Sequence, residues 1–203
     1  QALTQTIRDV VGRMNGEDSP LVVRVGGHFG GGKTHTLMTL YHLVNNPEEA
    51  NRNVNVQDAL QGLNVPDNAR AFFINGAEIG TTPVIDGLPP LWCELARQVN
   101  LNLFNNLNED PDGRHRSLNP ALYQETLRMI LEAASPCVIL VDETEAYIRS
   151  VKDSSEIRQR RDAAWSLMNS DNLGYGEALR VLDYQTLYDL IRLSYSVGGV
   201  SVV

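Results

Sequence analysis

A glycine-rich run that ends in Lys-Thr is the feature that most constrains this sequence. It fits the pattern G-x-x-x-x-G-K-[ST] at every fixed position, and its residues are Gly27, His28, Phe29, Gly30, Gly31, Gly32, Lys33 and Thr34. Glycines let consecutive backbone N–H groups turn inward around phosphates, the lysine reaches the β and γ oxygens, and the hydroxyl ligates Mg²⁺. The pattern predicts a nucleoside triphosphate site, which we expect to include the next residue, His35.

The segments on either side of this run have the pattern that such a loop requires. Residues 21–25 read Leu-Val-Val-Arg-Val, a mostly β-branched run that predicts a buried parallel strand. After the loop, apolar residues recur at i, i+3, i+4 and i+7 from Leu37 to Val44, so we expect a helix that begins near Lys33. A strand, a glycine loop and a helix in this order point the helix N-terminus at an anion.

A second candidate element is an apolar run that ends in two adjacent carboxylates, Asp142 and Glu143. The run over residues 137–141, Cys-Val-Ile-Leu-Val, predicts a strand buried on both faces. Its carboxyl end is expected at the same edge of the sheet as the phosphate loop. We therefore predict that Asp142 holds Mg²⁺ through water, while the Thr34 hydroxyl ligates the same ion. Glu143 is the candidate base that orients the attacking water, and Lys33 is the second predicted catalytic residue.

Length and composition exclude several classes of protein. A chain of 203 residues suits one α/β domain. No apolar stretch approaches the roughly 20 residues needed to span a bilayer, and the N-terminus has no signal-peptide pattern, so we expect a cytoplasmic protein without a membrane partner. Cys93 and Cys137 lack metal-ligand spacing and are predicted to be small buried hydrophobes.

The charge distribution leaves one segment open to two interpretations. A net charge of −8 argues against coating nucleic acid by bulk electrostatics. Basic residues nevertheless crowd residues 149–161, where acidic residues interrupt them. A solvated helix face with i,i+4 pairs is the preferred interpretation. Contact with nucleic acid or with a neighbouring subunit is the alternative.

The remaining patterns predict one domain over residues 1–203. A helix is expected within residues 1–16, and polar surface insertions are expected at residues 45–69, with a small amphipathic piece around Val56 to Leu63, and at residues 105–119. Strands are predicted at residues 21–26, 70–75, 137–142 and 198–203. Since these strands alternate with helices, we expect a mainly parallel sheet with right-handed crossovers, in a three-layer α/β/α sandwich of the P-loop NTPase class.

Several segments resemble the prokaryotic AAA-type ATPases grouped as domain of unknown function 499. The resemblance covers most of residues 1–150. Its more particular parts are Lys-Thr-His-Thr-Leu at 33–37, Tyr-His-Leu at 41–43 and Leu-Trp-Cys-Glu-Leu-Ala at 91–96. Val-Asp-Glu at 141–143 also takes part in the resemblance, and its generic features are shared by P-loop ATPases at large. Where this family commonly has Trp after Asp-Glu, the chain has Thr144.

This resemblance implies an AAA-like core in which residues 198–203 form a strand inserted between the phosphate-loop strand and the Asp-Glu strand. It also implies that a sensor residue, a helical lid and an arginine finger lie beyond Val203, so that the chain is the core of a larger protein that self-associates or joins a complex. Similar proteins are encoded beside DNA methyltransferases and helicases in phage-defence regions. An antiviral role with indirect nucleic-acid involvement is therefore expected.

The function predicted from these observations is Mg²⁺-dependent binding and hydrolysis of ATP. Two other classes of function remain open. A nucleotide-operated switch would use slow hydrolysis only to reset a binding state. A small-molecule kinase would need an acceptor pocket and usually has no Glu directly after the Asp of this strand.

Overall fold

Three parallel strands form the sheet around which the described part of the chain is arranged. They are β1 (Arg70–Asn75), β2 (Cys137–Asp142) and β3 (Val200–Val202). The computed structural model describes residues 2–20, 22–23, 25, 32–79, 85, 88–110, 120–144, 146–147, 186 and 188–203. β2 is the central strand and pairs with both neighbours. The predicted mixed α/β class with parallel strands is confirmed.

The segment before the glycine-rich run lies on the far side of β3. Val22 forms a parallel bridge with Val202, and the Val23 N–H donates to the Val202 carbonyl at 2.9 Å. β3 is therefore placed between β2 and this segment, as expected for an inserted strand. The resulting order across the sheet is β1, β2, β3 and the Val22–Val23 segment.

Helices pack against both faces of the sheet. Their bounds are α1 (Ala2–Met14), α2 (Lys33–Asn45), α3 (Pro47–Arg52), α4 (Val54–Leu60), α5 (Pro90–Val99), α6 (Leu101–Glu109) and α7 (Pro120–Ala134). A further helix, α8, covers residues 188–196. Alternate strand residues face opposite sides: Phe72 and Ile139 join a cluster with α5 to α8, whereas Ala71 and Val138 join a cluster with α1 to α4. Both faces are covered because side chains alternate along a strand.

Two side-chain amides form hydrogen bonds with backbone groups on the outer edge of β1. The Asn45 amide, at the end of α2, donates to the Ala71 carbonyl at 3.2 Å and accepts from the Ala71 N–H at 2.9 Å. The Gln98 amide of α5 donates to the Phe73 carbonyl at 2.8 Å and accepts from the Phe73 N–H at 3.2 Å. These pairs occupy backbone groups that an edge strand would otherwise leave open.

Residues 45–69 are more ordered than the predicted surface insertion. They contain α3 and α4, and the Asn53 side chain caps α4 by accepting from the N–H groups of Asn55 and Val56. Ala50 and Leu60 are buried in the cluster on the α1 side. The amphipathic piece indicated around Val56 to Leu63 overlaps α4, and both of these residues pack against the cluster on the α1 side.

The second predicted insertion begins as a helix. α6 extends to Glu109, where the low apolar content of residues 105–119 had indicated an exposed loop. The Asn100 side chain caps this helix, and only Phe104 and Leu107 are buried. Two apolar residues three positions apart are enough to anchor one face of a short helix. Residues 111–119 lie outside the described part of the chain.

The N-terminal helix is present as predicted. α1 buries Ile7, Val10, Val11 and Met14, which share one face because of their spacing. None of the described helices combines the length and the apolar character needed to cross a membrane.

Both cysteines are buried and free, as predicted. Burial raises the pKa of the Cys137 thiol to about 12 from its usual 9.0, and the positive charge of Arg70 opposes this shift. The thiol is therefore expected to stay protonated and inert in the native protein.

Alkaline pH should consequently destabilise the fold through Cys137. Because folding raises the pKa of this thiol, its contribution to the free energy of unfolding is fully present below about pH 9. That contribution is lost as pH rises toward 12, because in this range the thiol ionises in the unfolded chain but not in the folded one. The loss is up to about 1.4 kcal/mol per pH unit within that window. Urea unfolding of the parent and of Cys137→Ala should show a stability difference that narrows as pH rises. A stability difference that stays constant with pH would contradict the raised pKa of Cys137.

Candidate functional site

The site begins where α2 starts. Gly32 precedes this helix with φ 77° and ψ 14°, a left-handed conformation that favours glycine. Its carbonyl accepts the Thr36 N–H at 2.9 Å, the first hydrogen bond of the helix. The first turn contains Lys33 and no acidic residue. The partial positive charge of the helix N-terminus is therefore not offset by a carboxylate within that turn.

Packing on the sheet fixes the position of this helix start. Leu37, Leu40 and Val44, three residues of the predicted apolar stripe, are buried against the sheet, and Leu43 is buried beside them. Lys33 is half-buried, whereas Thr34 and His35 are exposed. The apolar face of α2 thus holds the helix while its first turn stays accessible.

A hydrogen bond joins the two sequence motifs. The Thr34 hydroxyl donates to Oδ2 of Asp142 at 2.9 Å, although the two residues are 108 positions apart. Asp142 is the last residue of β2, and its side chain is half-buried. The sheet therefore brings the hydroxyl of the glycine-rich motif to the acidic end of the central strand.

The second carboxylate oxygen of Asp142 is also held. Oδ1 accepts the backbone N–H of Glu143 at 2.9 Å, so both oxygens of this side chain have a fixed partner. Glu143 itself is exposed and has φ 50°. A left-handed conformation is uncommon for a residue with a Cβ, and such residues cluster at functional sites.

The turn after β1 completes this edge of the sheet. Asn75 is in register with Asp142, and the N–H of Gly76 donates to the Asp142 carbonyl at 2.9 Å. Gly76 lies so close to Glu143 that a Cβ on it would be 2.3 Å from the Glu143 carbonyl oxygen. The sequence indicated only a turn at Asn75-Gly76. The contact depends on strand register, for which the sequence carries no local signal.

The structure places some of the predicted site residues and not others. It brings Thr34, Asp142 and Glu143 together at the carboxyl end of β2. Gly27, His28, Phe29, Gly30 and Gly31 lie outside the described residues, as does the basic segment at 149–161. Among the described residues, no group of three or more His, Cys, Asp or Glu is arranged to hold a metal ion. Any metal here would depend on oxygens from a bound nucleotide as well.

Comparison with known families then adds one finding. Residues 1–70 match the model of the DUF499 N-terminal domain. The match supports the DUF499 family, which the sequence motifs also resemble, and its range includes Lys33 and Thr34 but neither Asp142 nor Glu143. No curated protein and no solved structure matches the chain significantly. The interpretation of the acidic pair therefore rests on geometry.

Proposed function

We propose that the chain is the ATP-binding and ATP-hydrolysing core of an AAA-like P-loop protein. The observation that carries this proposal is the 2.9 Å hydrogen bond between Thr34 and Asp142. Thr34 belongs to the glycine-rich motif and Asp142 to the acidic strand, and the sequence pattern of each motif predicts a role in holding Mg²⁺. The two side-chain oxygen atoms that would take part are hydrogen-bonded to each other. A glycine-rich turn with an incidental Lys-Thr would have no reason to meet the acidic end of a central strand.

The donor set fits a magnesium ion held beside nucleotide phosphates. Mg²⁺ prefers oxygen ligands, keeps several waters and usually takes one or two protein ligands. Thr34 Oγ1 would be a direct ligand, and the Asp142 carboxylate would hold the ion through water. When bound, the metal would offset the negative charge of the phosphate oxygens during transfer of the γ phosphoryl group.

The phosphates would lie at the N-terminus of α2. Lys33 and the backbone N–H groups of the glycine-rich run, from Gly27 to Gly32, would surround them, and His35 would contact the nucleotide from the same turn. The helix dipole and the lack of acidic residues in the first turn favour an anion at this position. Left-handed Gly32 turns the loop into the helix.

Glu143 would act as the base. Glu143 follows the half-buried Asp142 at the strand end and is exposed, as a base that contacts a water molecule must be. In the proposed step, the water oxygen attacks the γ phosphorus and its proton passes to the Glu143 carboxylate. The bond from phosphorus to the bridging oxygen breaks, leaving ADP and inorganic phosphate.

The arrangement of the sheet supports the P-loop assignment. The order β1, β2, β3 and the Val22–Val23 segment puts β3 between the acidic strand and the segment that precedes the glycine-rich run in the sequence. The AAA-type resemblance implies that same insertion. Helices on both faces agree with a three-layer sandwich.

The wider role that we propose comes from the family. The match to DUF499 over residues 1–70 and the resemblance to phage-defence ATPases support a core that works within a larger prokaryotic complex, by self-association or with other subunits. Involvement with nucleic acid would then be indirect, through those partners.

Asp142→Asn tests the metal assignment. Because Asp142 would meet the nucleotide only through Mg²⁺, the variant should bind ATP·Mg²⁺ about 10–100-fold more weakly, the usual cost of losing an outer-shell metal partner, and should bind metal-free ATP like the parent. Calorimetric titration with and without Mg²⁺ measures both affinities. Asp58→Asn, on the exposed side of α4, is the matched control. Equal losses with and without the metal would contradict the role of Asp142.

A further inference from the structure

The turn after β1 and the turn after β2 are packed against each other with no spare room. A Cβ built on Gly76 would lie 2.3 Å from the carbonyl oxygen of Glu143 and 2.9 Å from the Cβ of Tyr147. Both atoms belong to, or are attached directly to, the backbone, so neither can move aside as the tip of a flexible side chain would. An alanine at position 76 therefore requires the backbone near Glu143 to shift.

The need for glycine at position 76 is spatial rather than conformational. The glycines with positive φ in the described part of the chain are Gly16, Gly32, Gly62 and Gly199. Gly76 is not one of them, so alanine would be compatible with its backbone conformation. An alanine substitution thus perturbs the contact with Glu143 without adding strain at residue 76 itself.

Glu143 is the residue most sensitive to such a shift. Its left-handed φ of 50° is intrinsically unfavourable and persists only where the surroundings hold it. Its N–H donates to Asp142 Oδ1 at 2.9 Å, and its carbonyl accepts the Tyr147 N–H at 3.1 Å. Gly76 lies against the same Glu143 carbonyl, and the N–H of Gly76 donates to the Asp142 carbonyl.

We propose that Gly76 is a positioning residue for hydrolysis, whose missing side chain lets the backbone of Glu143 adopt the conformation that aims its carboxylate. This inference rests on the proposed function, because it concerns the same base. Gly76 does not touch the nucleotide in this account. It acts through Glu143, and a small displacement of a positioned base is enough to slow a reaction strongly.

The kinetic test compares Gly76→Ala, Glu143→Gln and the double variant in the full-length protein, by phosphate release and ATP titration. We expect Gly76→Ala to lower kcat by about 10–100-fold, with ATP affinity within about twofold of the parent. In the Glu143→Gln background the same substitution should cost less than about twofold, because residues that act through one another are not additive. Gly198→Ala is the matched control, since an added Cβ there meets nothing within 4 Å.

Amide hydrogen exchange provides a second measurement that needs no turnover. Gly76→Ala should speed exchange of the Tyr147 amide, because the Glu143 carbonyl that accepts it is displaced, while the amides of α1 remain protected. Unchanged Tyr147 exchange would overturn the role of Gly76. So would an equal fold-loss of hydrolysis in the parent and Glu143→Gln backgrounds, because that result describes a general structural defect. A full-length protein that binds but never hydrolyses ATP would instead overturn the proposed function.

Discussion

Glu143→Gln should bind ATP·Mg²⁺ as tightly as the parent chain and lose hydrolysis by about 10²–10⁴-fold, the usual worth of a positioned base. Glutamine keeps the length and hydrogen-bonding reach of the side chain but cannot take a proton from water. The contacts that hold this residue involve its backbone N–H and carbonyl, so the substitution leaves them in place. The variant should therefore keep its affinity for ATP·Mg²⁺ while its rate of hydrolysis falls.

Calorimetric titration of this chain gives the affinity of the variant, and single-turnover phosphate release by the full-length assembly gives its rate. Glu109→Gln, at the exposed end of α6, controls for the loss of one carboxylate elsewhere. A glutamine variant that hydrolyses ATP at the parent rate would remove Glu143 from the mechanism. Negligible turnover of the parent, with partner binding that differs between ATP and ADP, would favour a nucleotide-operated switch. Phosphate transfer to a small acceptor instead of water would favour a kinase.

Lys33→Ala is expected to abolish measurable binding of ATP·Mg²⁺. The remaining parts of the proposed phosphate site are backbone N–H groups and a helix terminus, whose partial charges cannot replace an ammonium group at the β and γ oxygens. Lys33 is the first residue of α2, and the face that packs this helix against the sheet is formed by Leu37, Leu40, Leu43 and Val44. The variant should fold like the parent.

The affinity of Lys33→Ala is measured by the same titration, after circular dichroism has shown the helices intact. Arg52→Ala removes one positive charge from a highly exposed position at the end of α3 and should bind ATP·Mg²⁺ normally. Undiminished affinity in a folded Lys33→Ala variant would contradict the phosphate-loop assignment.

Local sequence patterns were sufficient to locate the elements of the candidate site. The bounds predicted for β1 and for the acidic strand agree with the structure, because a run of apolar residues buried on both faces carries its own signal. The start of α2 at Lys33 follows in the same way from the glycine run and the apolar stripe after it. These features depend on neighbours in the chain. The loop from Gly27 to Gly31, outside the described residues, stays a prediction.

Polar segments showed the limit of such patterns. In residues 45–69 the sequence is dominated by polar side chains, yet Ala50 and Leu60 are buried and the Asn53 side chain caps a helix. Whether a weakly amphipathic segment packs or remains at the surface depends on the face it meets, here α1. A local pattern cannot show that partner face.

The sequence by itself determined the candidate residues for the proposed chemistry: the Lys33–Thr34 pair and the Asp142–Glu143 pair carry their functional groups wherever the chain places them. Only the tertiary structure decided that Thr34 meets Asp142 at 2.9 Å and that Gly76 lies against the Glu143 carbonyl. The contact of Gly76 depends on the register between β1 and β2, and the contact of Thr34 depends on the packing of α2 against the sheet. Register is set by packing on both faces of the sheet, a collective property that no short segment encodes.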